Sequence, residues 1–225
     1  MNAEELERLI SRHPVLFHMA ELGSWPSIRK HGLLSTSALL DLFGYAGRQR
    51  HDLEARRRPE SVAIKHSTHG QAVVRDQKPI TDAALERCLL DGLTPSGWYR
   101  MLNARVFFWL TEERLQRLLN AGPYASSNHD VLSVETRALI EKYRELITLA
   151  PINTGNTRPY AQPRGRATFS SIENYPYEEW MAKRRGIDPA VELAVMGGVS
   201  QIERFTISVR EMRGNQIVRV IWTRP

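Results

Sequence analysis

Apolar residues recur with helical spacing over residues 2–12, where Leu6, Leu9 and Ile10 fall on one face and predict a short helix. "VLFHM" (15–19) is a compact apolar run that reads as a strand, ended by a turn at Glu21–Gly23. "SWPSIRKHGLL" carries helix punctuation: Ser24 as N-cap, Pro26 in the first turn and Gly32 just past the end. A second helix is expected over 35–44, capped by Ser35 or Ser37 and stopped by Gly44, and the charged stretch 48–60 starts helical and stops at Pro59. The β-rich runs 61–66 and 71–77 predict a hairpin turning at "STHG". Helices follow over 81–93 with Asp82 as cap, over 94–103, after the Thr111 cap, and over "RALIEKYRELI" (137–147). Strands at 104–110, 129–136 and 190–199, and a hairpin within 202–222 turning at "RGN", complete the pattern. Between 151 and 189 periodicity gives way to Pro, Gly, Asn, Arg and aromatics. With no internal repeat and no linker, the pattern predicts a single mixed α+β domain over 1–225.

Composition narrows the picture. The 225 residues suffice for a real core, and 42% hydrophobic with 25% charged residues is a globular balance. No apolar run approaches the roughly 20 residues that span a bilayer, so no membrane association is expected. The opening "MNAEELERLI" is acidic and amphipathic, unlike a secretory signal. The single cysteine, Cys88, rules out an internal disulfide and a Cys-based zinc site, which fits a reducing, cytoplasmic setting. Lys and Arg total 31 against 25 Asp and Glu, for a net charge of +6, and arginine supplies nearly all of the positive charge. That excess suits a polyanionic partner, although a GC-rich genome would also trade lysine for arginine.

The common catalytic motifs are missing: there is no Walker A loop, no dinucleotide-binding G-x-G-x-x-G, no G-x-S-x-G and no H-E-x-x-H. The seven histidines are scattered; His66 and His69 lie three apart in the expected hairpin but lack a third partner, so no metal is expected. Two polar residues interrupt apolar strands. His18 sits in "LFHMA", and Glu192 sits in "AVELAV", where a carboxylate is costly unless paired or facing a cavity. The plainer accounts are a satisfied core histidine and an edge glutamate facing water.

The order of these features resembles the ADP-ribosyltransferase fold, and more narrowly the DarT-type nucleic-acid ADP-ribosyltransferases. "FHMA…SIRKHGLL" is similar to that family's opening strand and helix, "VFFWLT" (106–111) to a later strand, and "ELAV" (192–195) to the strand begun by the catalytic glutamate. The likeness covers roughly 15–58 and 104–210 and implies a split β-sheet core with flanking helices, in which the strands of His18 and Glu192 are neighbours. It also implies an NAD site, with Glu192 catalytic and His18, Met19, Gly32, Leu33, Ser35 and Trp109 binding the dinucleotide. The family's catalytic arginine falls in a basic stretch where Arg48, Arg50, Arg56, Arg57 and Arg58 all stand. Arg56, and Arg75 in "VVRDQ", are the candidates taken forward. Residues 61–103 have no counterpart and read as an insert. Ala20 stands where the family has a threonine, and Ala190 stands two before Glu192, so the E-x-E of arginine-modifying relatives is absent.

In the resembling fold the loop before the glutamate selects the acceptor. Here, within 151–189, it holds Tyr175, Tyr177 and Trp180 among Arg184, Arg185 and other cations, a mixture that suits base stacking and phosphate contact with DNA or RNA. The competing account is a solvated helix whose aromatics pack on the core. The function implied is NAD-dependent mono-ADP-ribosyl transfer to nucleic acid or a nucleotide, in a toxin-like or stress effector with a possible antitoxin partner. The alternatives are an NAD-dependent RNA 2′-phosphotransferase and a non-catalytic NAD- or nucleic-acid-binding module.

Overall fold

A computed structural model describes residues 1–185 and 187–225 as one α+β domain built on a large antiparallel sheet. In chain order the elements are α1 (Ala3–Arg12), β1 (Val15–Glu21), α2 (Trp25–His31), β2 (Leu33–Leu34), α3 (Thr36–Leu42) and α4 (Gly47–Glu54). Then come β3 (Val62–His66), β4 (Gly70–Val74), α5 (Asp82–Cys88), α6 (Pro95–Asn103), β5 (Arg105–Trp109), α7 (Glu112–Leu119), β6 (Asn128–Glu135) and α8 (Thr136–Tyr143). The last part holds β7 (Ile147–Ala150), β8 (Ser170–Ser171), α9 (Tyr177–Lys183), β9 (Glu192–Met196), β10 (Gly198–Val199), β11 (Thr206–Arg213) and β12 (Gln216–Thr223). Among the described residues no helix is long and apolar enough to cross a membrane.

The eight-stranded sheet runs β12-β11-β6-β1-β5-β9-β7-β8. β6 and β9 are buried along nearly their whole length, as strands covered on both faces are, whereas β5 alternates. On β5, Val106 and Phe108 are buried in the main core with Leu16, Leu193 and Val195, while Arg105, Phe107 and Trp109 on the other face stay half-buried. The stripe of α1 that the periodicity picked out, Leu6, Leu9 and Ile10, packs into that core, and Asn2 and Glu5 close its first turn reciprocally.

Local signals hold for most elements and fail at four instructive points. Thr81, not Asp82, occupies the N-cap of α5, so Asp82 is free to accept a hydrogen bond from Tyr99 (2.5 Å). The helix expected to 147 stops at Tyr143, because Ile147 and Leu149 bury on the sheet as β7, antiparallel to β9. The strand expected over 190–199 breaks at Gly197–Gly198, and β10 leaves the main sheet to pair with β2. That crossing needs two glycines: an added Cβ would lie 2.8 Å from the Val199 carbonyl oxygen at Gly32, and 2.5 Å from the Leu33 carbonyl oxygen at Gly198. Both also have positive φ, 89° and 129° respectively, which an L side chain rarely adopts. Finally, the strands of His18 and Glu192 are not neighbours, for β5 runs between β1 and β9.

Candidate functional site

The site follows from a weak seam in the sheet. β1 pairs with β6 from Val15–Glu135 to Glu21–His129, yet meets β5 at one position, Phe17 opposite Trp109. Beyond it the strands part, and residues of both line a cleft with two lobes, of about 400 Å³ and 670 Å³. Each lobe is of ligand-site size. His18, Thr36, Arg75, Arg105 and Phe107 border both lobes and so form the divide between them.

His18 spans the seam. Its Nδ1 lies 2.8 Å from the Phe107 carbonyl oxygen on β5. A carbonyl only accepts, so Nδ1 carries the proton and Nε2 is left as an acceptor. Burial pushes the imidazole down to about 4, against the pull of the carbonyl, and the nearby Arg75 charge adds to the effect. The ring is therefore neutral at pH 7.

Glu192 lies on the larger lobe with only 4% of its surface exposed, placed by β9 between Trp109 of β5 and Ala150 of β7. Its Oε2 accepts from the Thr154 backbone N–H (3.1 Å) and from the Thr154 hydroxyl (2.7 Å). Burial raises the carboxyl to about 7, while the two Thr154 donors, then Arg164 and Arg114, oppose the rise. Arg164 fixes the loop behind it. It is 1% exposed and donates to the carbonyls of Thr154 (3.0 Å), Asn156 (2.9 Å) and Gln162 (2.9 Å).

The larger lobe is strongly cationic. Arg58, Arg75, Lys78, Arg105, Arg114, Arg117 and Arg158 line it, against Asp76 and Glu192. Several of these cations are committed elsewhere. Arg114 pairs with Asp188 at 3.1 Å, Lys78 with Glu60 at 3.1 Å, and buried Arg58 donates to Asn103 (2.8 Å) and the Arg75 carbonyl (2.9 Å). Burial lowers Arg58 to about 10.

Most of the residues singled out from sequence converge here. Glu192, Met19 and Trp109 line the larger lobe, Gly32, Leu33 and Ser35 the smaller, and His18 and Arg75 both. Arg75 reaches the divide from the end of the β3–β4 hairpin, so the segment 61–103 is a wall of the cleft. Its Nη1 donates to the Met19 carbonyl (3.2 Å), and Glu21 and Asp76 lie 3.9 and 3.7 Å away. Arg56 does not converge: it is exposed past α4, pairs with Asp52 at 3.3 Å and lines neither lobe.

The stacking surface expected from Tyr175, Tyr177, Trp180, Arg184 and Arg185 is absent from both lobes. Tyr175 and Tyr177 are each 2% exposed in the main core, with the Tyr175 hydroxyl bonded to the Pro189 carbonyl at 2.6 Å. Trp180 packs on the same core under Arg184, which donates to the carbonyls of Pro151 and Asp188. Arg185 is exposed, with φ at 52° in the turn that ends α9. Tyr175 and Tyr177 are committed to packing and have no face left for a base, while half-buried Trp180 carries Lys183 and Arg184 over its ring.

Sequence reasoning missed Thr154, Arg164 and Arg105. The first two lie in an aperiodic loop, and neither residue type signals burial. Arg105 had a signal, because strand alternation from 104 to 110 sets it on the same face as Phe107 and Trp109.

A profile of the family of unknown function DUF7002 matches residues 14–206, a span that contains every residue lining the cleft, and the chain belongs to that family. No curated protein matches it.

Proposed function

We propose that the chain is an NAD-dependent mono-ADP-ribosyltransferase acting on nucleic acid or a nucleotide. The observation that carries the reading is that Glu192 and His18, 174 positions apart, line one cationic two-lobed cleft. Its residues fit a dinucleotide: there are two adjoining lobes, guanidinium groups at the divide, an imidazole acceptor, and a buried carboxylate at one end.

Transfer breaks the bond between nicotinamide and ribose, joins the ribose to a nitrogen or oxygen of the acceptor, and releases nicotinamide and a proton. The reacting carbon gains positive charge in the transition state, and a fixed carboxylate in a water-poor site stabilises such charge well. Glu192 supplies that carboxylate. Thr154 occupies Oε2, which leaves Oε1 to bond a ribose hydroxyl, and the carboxylate is placed to accept the acceptor's proton. His18, neutral with Nε2 as acceptor, receives a second hydroxyl, and Arg75 faces phosphate oxygens. Met19 and Trp109 wall the larger lobe, and the Gly32–Ser35 backbone walls the smaller.

A nucleic-acid acceptor draws support from the lobe mouth rather than from 166–185. Arg117 and Arg158 are exposed there, and Tyr160, two residues beyond Arg158, is 83% exposed. The test is transfer of label from adenylate-labelled NAD to single-stranded DNA or RNA. Acid-stable label on the oligonucleotide, lost in Glu192→Gln, is the expected result. No transfer to nucleic acid, nucleotide or protein, and no nicotinamide release, would refute the proposal.

A further inference from the structure

We infer that Arg105, with Arg75, forms a diphosphate-binding subsite on the divide between the two lobes. Arg105 opens β5 on the face it shares with Phe107 and Trp109, and it borders both lobes. Its guanidinium lies over the Phe169 ring, 4.3 Å from the centroid. Among the described residues it makes one hydrogen bond, from Nη1 to the Met101 carbonyl at 2.6 Å, no carboxylate pairs with it, and its Nε is buried without a partner. Burial alone lowers its proton affinity, with no acid nearby to offset the loss.

A guanidinium stays charged at any pH the fold tolerates. Partly desolvated and without a counter-ion, it carries a cost that a bound anion removes. The other deep cations of the cleft are supplied already: Arg114 by Asp188, Lys78 by Glu60, and Arg58 by carbonyl and amide oxygens. The Phe169 ring limits the movement of the Arg105 guanidinium; with Nη1 bonded to Met101 and Nε buried without a partner, Nη2 is the group left to donate to a phosphate oxygen. Arg75 borders the same two lobes; Glu21 and Asp76, at 3.9 and 3.7 Å, balance part of its charge, and Arg105 brings a second guanidinium without such a partner. Two guanidiniums on one divide match two linked phosphates better than a single one. His18 adds no charge there; its free Nε2 accepts a hydroxyl, which places a sugar beside the phosphates.

The biological ligand assumed, a dinucleotide, rests on the function proposed above, but the subsite is testable without it. Inorganic pyrophosphate and ADP are titrated calorimetrically into the full chain at low and moderate salt. Arg105→Met keeps an apolar stem on Phe169 and removes the charge, so melting should be preserved while pyrophosphate affinity falls at least tenfold. Arg105→Lys, which keeps the charge without the planar guanidinium, should retain part of the affinity and serves if the methionine variant does not fold. Arg56→Gln, on the outer surface, should bind as the wild type does. Binding should weaken as salt rises. Absence of pyrophosphate and ADP binding by the wild type, or undiminished binding by folded Arg105→Met, would overturn the inference. Pyrophosphate held through Arg105 by a protein that does not bind NAD would uphold the subsite and sink the dinucleotide reading.

Discussion

Replacing Glu192 by glutamine should flatten a pH dependence that the wild-type fold carries. In the fold burial holds the carboxyl at about 7, against 4.5 when it is exposed in the unfolded chain. Between those values the folded protein binds a proton that the unfolded chain has released, so stability falls as pH rises, and above about 7 the loss is complete. The rise from 4.5 to about 7 corresponds to roughly 3 kcal/mol. The glutamine side chain would keep the shape, and its carbonyl oxygen can accept both Thr154 donors as Oε2 of Glu192 does. It does not titrate.

The measurement is denaturant unfolding of both proteins from pH 4.5 to 8. Other groups that titrate, His18 included, contribute alike to both and cancel in the difference. Relative to wild type, the variant should gain about 3 kcal/mol across this range, which for a chain of this size is roughly 6–12 °C in melting temperature. Equal m-values would confirm that the native and unfolded states remain comparable. A stability difference that stays constant with pH would refute the reasoning, because it would mean that Glu192 is ionised and hydrated at low cost. Enzymatic activity plays no part in this result.

Thr154→Val removes one of two donors to Oε2 and should move the Glu192 titration, read from difference curves extended to about pH 10 with Glu192→Gln made in the same background, up by about 1–2 pH units, while Thr154→Ser leaves it in place. His18 is neutral in the fold and protonated when unfolded between about 4 and 6.5, so its contribution is complete above 6.5 and is lost as pH falls to 4. His18→Gln should reduce that acid sensitivity by less than a fully buried group would give, since the ring is half-buried; an unchanged acid limb contradicts this. Gly198→Ala should cost about 2 kcal/mol or more in chemical denaturation, because its Cβ would meet the Leu33 carbonyl oxygen at 2.5 Å in a backbone with φ at 129°. Activity, if the proposed chemistry holds, should rise with pH and level off above about 7 as Glu192 ionises, and an acid optimum near pH 5 would exclude its role as a carboxylate.

What the sequence revealed depended on whether a signal was local. Helix punctuation at Ser35, Gly32 and Thr111, and the alternation in 104–110, report short-range geometry and appear in the structure as expected. Glu192 and His18 were visible because each violates the apolar pattern of its own strand. β7 was hidden, since "ELITLA" continues a helical stripe until β9 competes for Ile147 and Leu149. Arg56 looked no different from Arg58 in a run of cations. Only the fold separates them, by burying Arg58 against Asn103 and leaving Arg56 in solvent with Asp52. Tyr175 and Tyr177 carried the composition of a binding loop, yet an aromatic beside an arginine looks the same whether it stacks on a base or fills a core. Thr154 becomes legible only once β9 brings Glu192 to it across 38 positions.

The seam between β1 and β5 also explains why the polar residues collect there. When two strands of a sheet part, their facing backbone groups lose ladder partners and must be satisfied by other means. Two of the affected carbonyls are Phe107 on β5 and Met19 on β1, and their donors are His18 Nδ1 and Arg75 Nη1. The same side chains thus satisfy the backbone of the seam and line the cleft it opens. Substituting His18 or Arg75 therefore exposes a carbonyl as well as altering the cleft, so loss of binding in such variants mixes two causes. Glu192 and Arg105 bond backbone groups outside the seam: Glu192 accepts from Thr154 in a loop that Arg164 also holds, and Arg105 donates to the Met101 carbonyl near the end of α6. Changes at these two positions report on chemistry and anion binding with the least disturbance of the sheet, so they should be tested before His18 and Arg75.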